Sequence, residues 1–425
     1  MRRVVSAACL NVLLGCMASV AAEPDLLFTS RVLFALPDDL KVLAYESNAR
    51  TQRVACVAKQ GSDAFVFVDG RKEGPFAAAQ FPTFSPRGDR FAYVVTEGGK
   101  GVVICDGKRS EAYEGVWKPF FSPDGAILAH GAGQGGRETM VVNGKRGESF
   151  QKVHVPFFAP DGKTVYYAAE RDGKGFIVVG DKMIEAGESC WWPVMSDDGK
   201  TLAYGVRDQG KQFVVVNGQA GERFKEIGWP VLAQDGRRIA YKAVDESREY
   251  MVVGDKKGQG YDTVGAPVFS PELATVAYGA MTILKAFVVV GSKPGLFTFS
   301  EVPRATISDE GRPVPKLLFS PDGTRIAYVA VKSVYTYLVI DDEVFGPYGA
   351  LGLPVFGPKS QHAAVGAVKG NRAVMVVGRQ ESEACEWVGR PVFDAQETRV
   401  AFAARKGNRV VWEVMRLDPP AKRAD

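Results

Sequence analysis

Hydrophobic residues along this chain come in short runs, each cut off by a cluster of turn formers. "FSPDGTRIAYVA" at 319–330 shows the arrangement: an apolar entry, then Ser-Pro-Asp-Gly, then a β-rich alternation. Close relatives of it stand at 84 ("FSPRGDRFAYVV"), 121 ("FSPDGAILAHGA"), 158 ("FAPDGKTVYYAA") and 195 ("MSDDGKTLAYGV"). With Phe319 as the marker, the equivalent positions are Ser47, Phe84, Phe121, Phe158, Met195, Leu232, Phe269, Phe356 and Phe393. Every interval is 37 residues except one of 50, between Phe269 and Phe319. A fixed period of this length means one supersecondary unit copied along the chain.

The unit reads as four strands, A to D. In "SPDG" the proline presets φ for the turn, Asp suits the next position, and Gly closes it in the left-handed region. "IAYVA" and "FVVV" are β-rich and belong in buried sheets. "VNGK" and "VDGK" carry Asn-Gly and Asp-Gly, the strongest short hairpin signal. A proline two residues before the marker (Pro82, Pro119, Pro156, Pro193, Pro230, Pro267, Pro354, Pro391) cannot donate to a ladder, so it is expected at the start of strand A. No helical period of useful length competes.

A four-stranded meander of 37 residues cannot bury both faces alone, but stacking such sheets radially does, leaving only short edges. The expectation is an all-β propeller over 26–415. The motif resembles the TolB-type, WD-repeat-like β-propeller repeat, whose hallmark is "FSPDG" followed by "IAY"; the Gly-His and Trp-Asp pairs of typical WD repeats are absent. The resemblance covers about residues 41–415 and implies a fold; such propellers serve as scaffolds, receptors and enzyme accessory domains. Ten markers give nominally ten four-stranded blades. The tenth unit has sequence for three strands before a polar tail at 416–425, and "LLFTSRVLFAL" at 26–36 could supply the fourth and close the ring. Two smaller rings are the alternative to one.

Composition adds a compartment. Arg2 and Arg3 precede an apolar stretch from Val4 to Leu14, and Val20-Ala21-Ala22 offers small residues before Glu23, the pattern of a signal peptide over 1–22. "LLGC" at 13–16 resembles a lipoprotein processing box with Cys16 as the lipidated residue. Either outcome exports the mature chain to the periplasm or beyond. No other stretch could span a bilayer, so membrane contact is expected only through such a lipid. Lys+Arg 53 against Asp+Glu 49, a net +4, is too even to argue for a nucleic-acid footprint or an anionic membrane surface. Cys56, Cys105, Cys190 and Cys385 share no metal-ligand spacing and read as small hydrophobes in strands, their disulfide pairing left open.

Chemistry is scarce. His130, His154 and His362 fall in three units at three different offsets, and there is no HExxH, CxxC or GxSxG. "GAGQGG" at 131–136 lies between strands, not before a helix, which argues against phosphate binding. No catalytic, cofactor or metal residues are assigned. The connection from strand D to the next strand A is where the strict repeat relaxes. It carries Trp117-Lys118, His154, Trp191-Trp192 and Trp229 in successive units, where later units have small, aliphatic or basic residues. One reading is that these aromatics plug a wide channel or pad blade contacts. The other is a recognition patch of Trp117, Lys118, His154, Trp191, Trp192 and Trp229 on the face formed by the D–A and B–C loops, for an unknown protein, peptide or glycan partner. A non-catalytic scaffold of the cell envelope is the expected function, with carbohydrate- or peptide-processing by channel carboxylates as the alternative. The excess after Gly291 is a candidate for the binding face or a tolerated excursion.

Overall fold

Ser320, Asp322 and Gly323 show why the turn recurs. The Ser320 hydroxyl donates to the Asp322 carboxylate at 2.6 Å, and that carboxylate accepts the Thr324 amide at 3.0 Å. The Ser320 oxygen then accepts the Arg325 amide at 2.9 Å, and Gly323 sits at φ 72°, where a Cβ would be strained. Another device lies at the hairpin from strand C to strand D. Asp69, Asp106, Asn143, Asn217 and Asp341 stand there at φ between 48 and 54°. Each turns its side chain back onto an amide at the start of strand B, as Asp106 does to Phe91 at 2.8 Å and Asp341 to Ile326 at 2.9 Å. The units with Gly at this place (Gly180, Gly254, Gly291, Gly378) also take positive φ. One position thus demands the left-handed conformation, and only Asp, Asn or Gly fills it.

The computed structural model describes residues 28–271, 275–283, 285–295, 305–307 and 313–418. The expected signal peptide at 1–22, and all but the first residues of the tail at 416–425, lie outside them. Ten antiparallel blades follow in chain order, each ordered A-B-C-D across the sheet. Blade 1 is Lys41–Asn48, Arg53–Gln60, Asp63–Val68 and Arg71–Phe76. Blade 10 takes three strands from the C-terminal stretch, ending with Arg399–Lys406 and Arg409–Arg416, and its fourth from the N-terminus. That strand, Arg31–Ala35, pairs antiparallel with Arg409–Arg416, setting Arg31 opposite Trp412 and Ala35 opposite Arg409. The ring is therefore closed by the N-terminal strand, as the missing fourth strand of the last unit demanded.

Buried apolar clusters bridge every neighbouring pair of blades. They run from Val57 against Tyr93 (blades 1 and 2), through Ile177 against Tyr204 (blades 4 and 5), to Val54 against Trp412 (blades 1 and 10). One continuous ring, not two, follows from that unbroken series.

Strand A departs from expectation in two blades. Most A strands are broken around the proline, but in blade 2 (Ala78–Phe84) and blade 5 (Ser189–Met195) the strand runs through it. The register shifts there, between Gln80 and Thr83 and between Trp191 and Val194. A bulge absorbs the residue that cannot donate. Cys56, Cys190 and Cys385 are buried, Cys105 is partly so, and all four are free thiols. Burial pushes the Cys56 and Cys190 thiols up to about 12. The segment after Gly291 contains a small hairpin, 305–307 with 313–315, in the connection from blade 7 to blade 8.

Candidate recognition site

The bulge of blade 5 places the aromatics. Trp191 precedes it and lies over strand B of its own blade, where Gly205 leaves room; a Cβ there would come 2.7 Å from the indole nitrogen. Trp192 forms the bulge itself, at φ 53°. A bulky non-glycine residue in the left-handed region costs of order 1–3 kcal/mol and persists only where its surroundings hold it. Trp191 meets it edge-on, with ring centroids 5.6 Å apart, and the Trp229 ring of blade 6 packs against it at a tilt, 5.1 Å away. Three of the six sequence candidates thus form one cluster.

The other three stand apart, on blades 3 and 4. Trp117 lies over Gly131 and Gly133 of its own blade and remains 41% exposed. Lys118 places its ammonium 5.5 Å from the Phe120 ring centre. His154 has its Nε2 3.2 Å from a Glu170 carboxylate oxygen, in a contact that is part-buried.

Below the tryptophans a cleft opens along the inner strands of blades 5 and 6, with Trp192 and Trp229 at one end and Asp197 and Gln234 at the other. Its origin is legible in the repeat. Blades 3 and 4 fill the inner strand with Phe120-Phe121 and Phe157-Phe158, all buried, whereas blades 5 and 6 have Val194-Met195 and Val231-Leu232, only partly covered. Two rings fewer per strand leave volume unfilled. At the turn, Asp197 and Gln234 replace the proline found as Pro86, Pro123, Pro160 and Pro271 in blades on either side. Those two substitutions were the sequence signal that a search for aromatics alone passes over.

The titratable groups are occupied in structure. His130 is a strand residue, 3% exposed, and burial lowers its pKa to about 4. Where a carboxylate departs from its ordinary value among the described residues, it falls. Asp322 is typical: burial would raise it, but hydrogen bonds from Ser320 and Thr324 outweigh that and hold it at about 2. Buried Glu397 stands at the turn-glycine position of blade 10, at φ 56°, and caps the blade 9 turn by accepting the Gln361 and His362 amides at 3.0 and 3.1 Å. These are turn anchors. Among the described residues no group of three or more His, Cys, Asp or Glu could hold a metal ion.

Ten four-stranded antiparallel blades closed by a terminal strand, built on the Ser-Pro-Asp-Gly repeat, define a β-propeller of the TolB type. Residues 206–387 match the family of the lipoprotein LpqB β-propeller domain. No curated protein matches the chain. Among solved structures, TolB from Acinetobacter baumannii is 18% identical with a TM-score of 0.28, over 49% of this chain and 65% of that one, just under two thirds of its length. The Dos1 propeller is 12% identical with a TM-score of 0.38, over 77% of this chain and 90% of that one. The β-propeller domain of the Trilobed protease from Pyrococcus furiosus is 13% identical with a TM-score of 0.37, over 82% and 97%. These likenesses are distant, and the fold rests on the sheets themselves.

Proposed function

We propose that the protein is a non-catalytic recognition scaffold of the cell envelope, exported by its N-terminal segment. It would hold a protein, peptide or glycan partner on the face formed by the D–A and B–C loops. The observation that carries this reading is the Trp192–Trp229 pair standing over an unfilled apolar cleft. Partly exposed indoles at a concave site offer large, rigid area at little entropic cost, and flat faces suited to a proline, an aromatic side chain or a sugar ring. Trp117, Lys118 and His154 extend the face across blades 3 and 4, while Trp191 serves as the backing on which Trp192 rests. The carboxylates favour no catalytic role, because a general acid needs a raised pKa and the displaced ones are lowered.

A pull-down from envelope extract with wild type and Trp192→Ala/Trp229→Ala tests this. The expected result is loss of a specific partner, at a cost in binding of about 2 kcal/mol or more, from a variant that still melts cooperatively. An unchanged partner set, or a collapse in stability of about 3–5 kcal/mol, would show the indoles to be packing.

A further inference from the structure

Strands B and C of every blade are two residues apart, and the residues between them follow hairpin chemistry almost everywhere. Gly98-Gly99, Asp172-Gly173 and Gln209-Gly210 all sit at positive φ. In eight blades both residues of the turn are glycine or polar. Blades 7 and 8, which are neighbours, break the rule with Ile283-Leu284 and Ser333-Val334, the latter followed by Tyr335. Ile283 is 85% exposed and Val334 80%, whereas the next large hydrophobic among the described residues reaches 55%. A β-branched side chain is a poor choice for a tight turn and worse for one in open water. Two such choices side by side are a departure from the repeat that folding does not explain.

Charge is set by the same two hairpins. Val276–Val290 and Ile326–Ile340 contain no Asp or Glu, and each carries a lysine at its tip, Lys285 and Lys332, both exposed. Every other B–C hairpin except that of blade 9 holds at least one acidic residue. The connection bearing the extra hairpin between blades 7 and 8 joins strand D to strand A, and so leaves from this same face. Protruding aliphatic tips with an aromatic beside them and lysines behind them match the layering of a bilayer surface: acyl boundary, interface, anionic headgroups. A protein partner is more often met by a flat, continuous patch than by isolated tips.

We propose that the B–C turns of blades 7 and 8 dock the protein on an anionic membrane surface. Ile283, Val334 and Tyr335 enter the headgroup–acyl boundary, and Lys285 and Lys332 meet the lipid phosphates. This contact stands independently of the cleft in blades 5 and 6, and it needs no lipid on the chain. It is tested on exported protein carrying Cys16→Ser, so that no lipid can be attached there, by flotation with vesicles of phosphatidylcholine alone or mixed with phosphatidylglycerol. Binding is expected on the mixed vesicles and should weaken with salt. Ile283→Ser/Val334→Ser should lower it about tenfold or more with an unchanged melting temperature, and Lys285→Glu/Lys332→Glu should abolish the preference for the anionic lipid. Absence of binding to either vesicle, or equal binding by the serine variant, overturns the proposal. So does a change in sedimenting mass on Ile283→Ser/Val334→Ser without vesicle binding, which would make the tips a contact between copies of the chain.

Discussion

At the scale of single residues, the repeat works by handing fixed conformational tasks to fixed positions. The glycine that closes most Ser-Pro-Asp-Gly turns and the Asp, Asn or Gly before each C–D turn sit at positive φ, which is why both recur along the sequence. The tryptophans were visible too, but not their separate jobs. One position apart along the chain, Trp191 packs on strand B while Trp192 rides the bulge, and only the register shift between Trp191 and Val194 tells them apart. Gly205 is the partner that makes the first of these possible. Gly205→Val should therefore lower stability by about 1–3 kcal/mol, the cost of overfilling a packed site. In a Trp191→Ala background the same change should cost much less, because the indole it strikes is gone. Thermal or denaturant unfolding of the four proteins in a double-mutant cycle reads this coupling. Additive losses would mean that Trp191 and Gly205 do not share the space described.

At the scale of elements, the four-stranded blade and its borders could be read from spacing alone, since a beat of 37 residues leaves little freedom in where strands begin. The cleft could not, because it arises from cross-blade packing: it needs Val194 and Met195 of one blade beside Val231 and Leu232 of the next. Sequence gives each strand's side chains but not the depth to which neighbouring blades bury them. The closing strand occupies a middle ground. Its place was predicted by counting, yet its hold comes from residues just beyond it. Leu36 is 3% exposed in the cluster with Val54 and Trp412, and its amide donates to the Asn408 carbonyl at 2.7 Å. Leu36→Ala should cost about 2–5 kcal/mol. The loss should be local first: amide exchange should accelerate over 31–36 and 409–416 before it does in the other blades. Uniform acceleration round the ring would show that closure is not the weak seam.

At the scale of the whole molecule, ten interfaces of the same kind replace a single central core. Contacts of high sequence separation are almost all between adjacent units, as in other repeat architectures, with one exception. That exception is the seam, where Tyr45 stacks on Trp387 at 4.4 Å, Arg405 donates to the Tyr45 hydroxyl at 3.1 Å, and Ser30 accepts the Val414 amide at 3.0 Å. Such a seam joins chain ends that lie close together, so the order of the chain there should be interchangeable while the order of the sheets is not. A circular permutant makes the point directly: begin the chain at residue 37 and attach 28–36 after 416 through a short flexible linker. The strand then pairs with Arg409–Arg416 as a hairpin instead of from the distant end. The permutant should melt within a few degrees of the parent, and its closing strand should exchange no faster, because a local hairpin has less loop entropy to lose than a ring-spanning closure. A permutant that fails to fold, or that scatters as an open arc, would mean that the ring depends on more than the pairing of its last sheet.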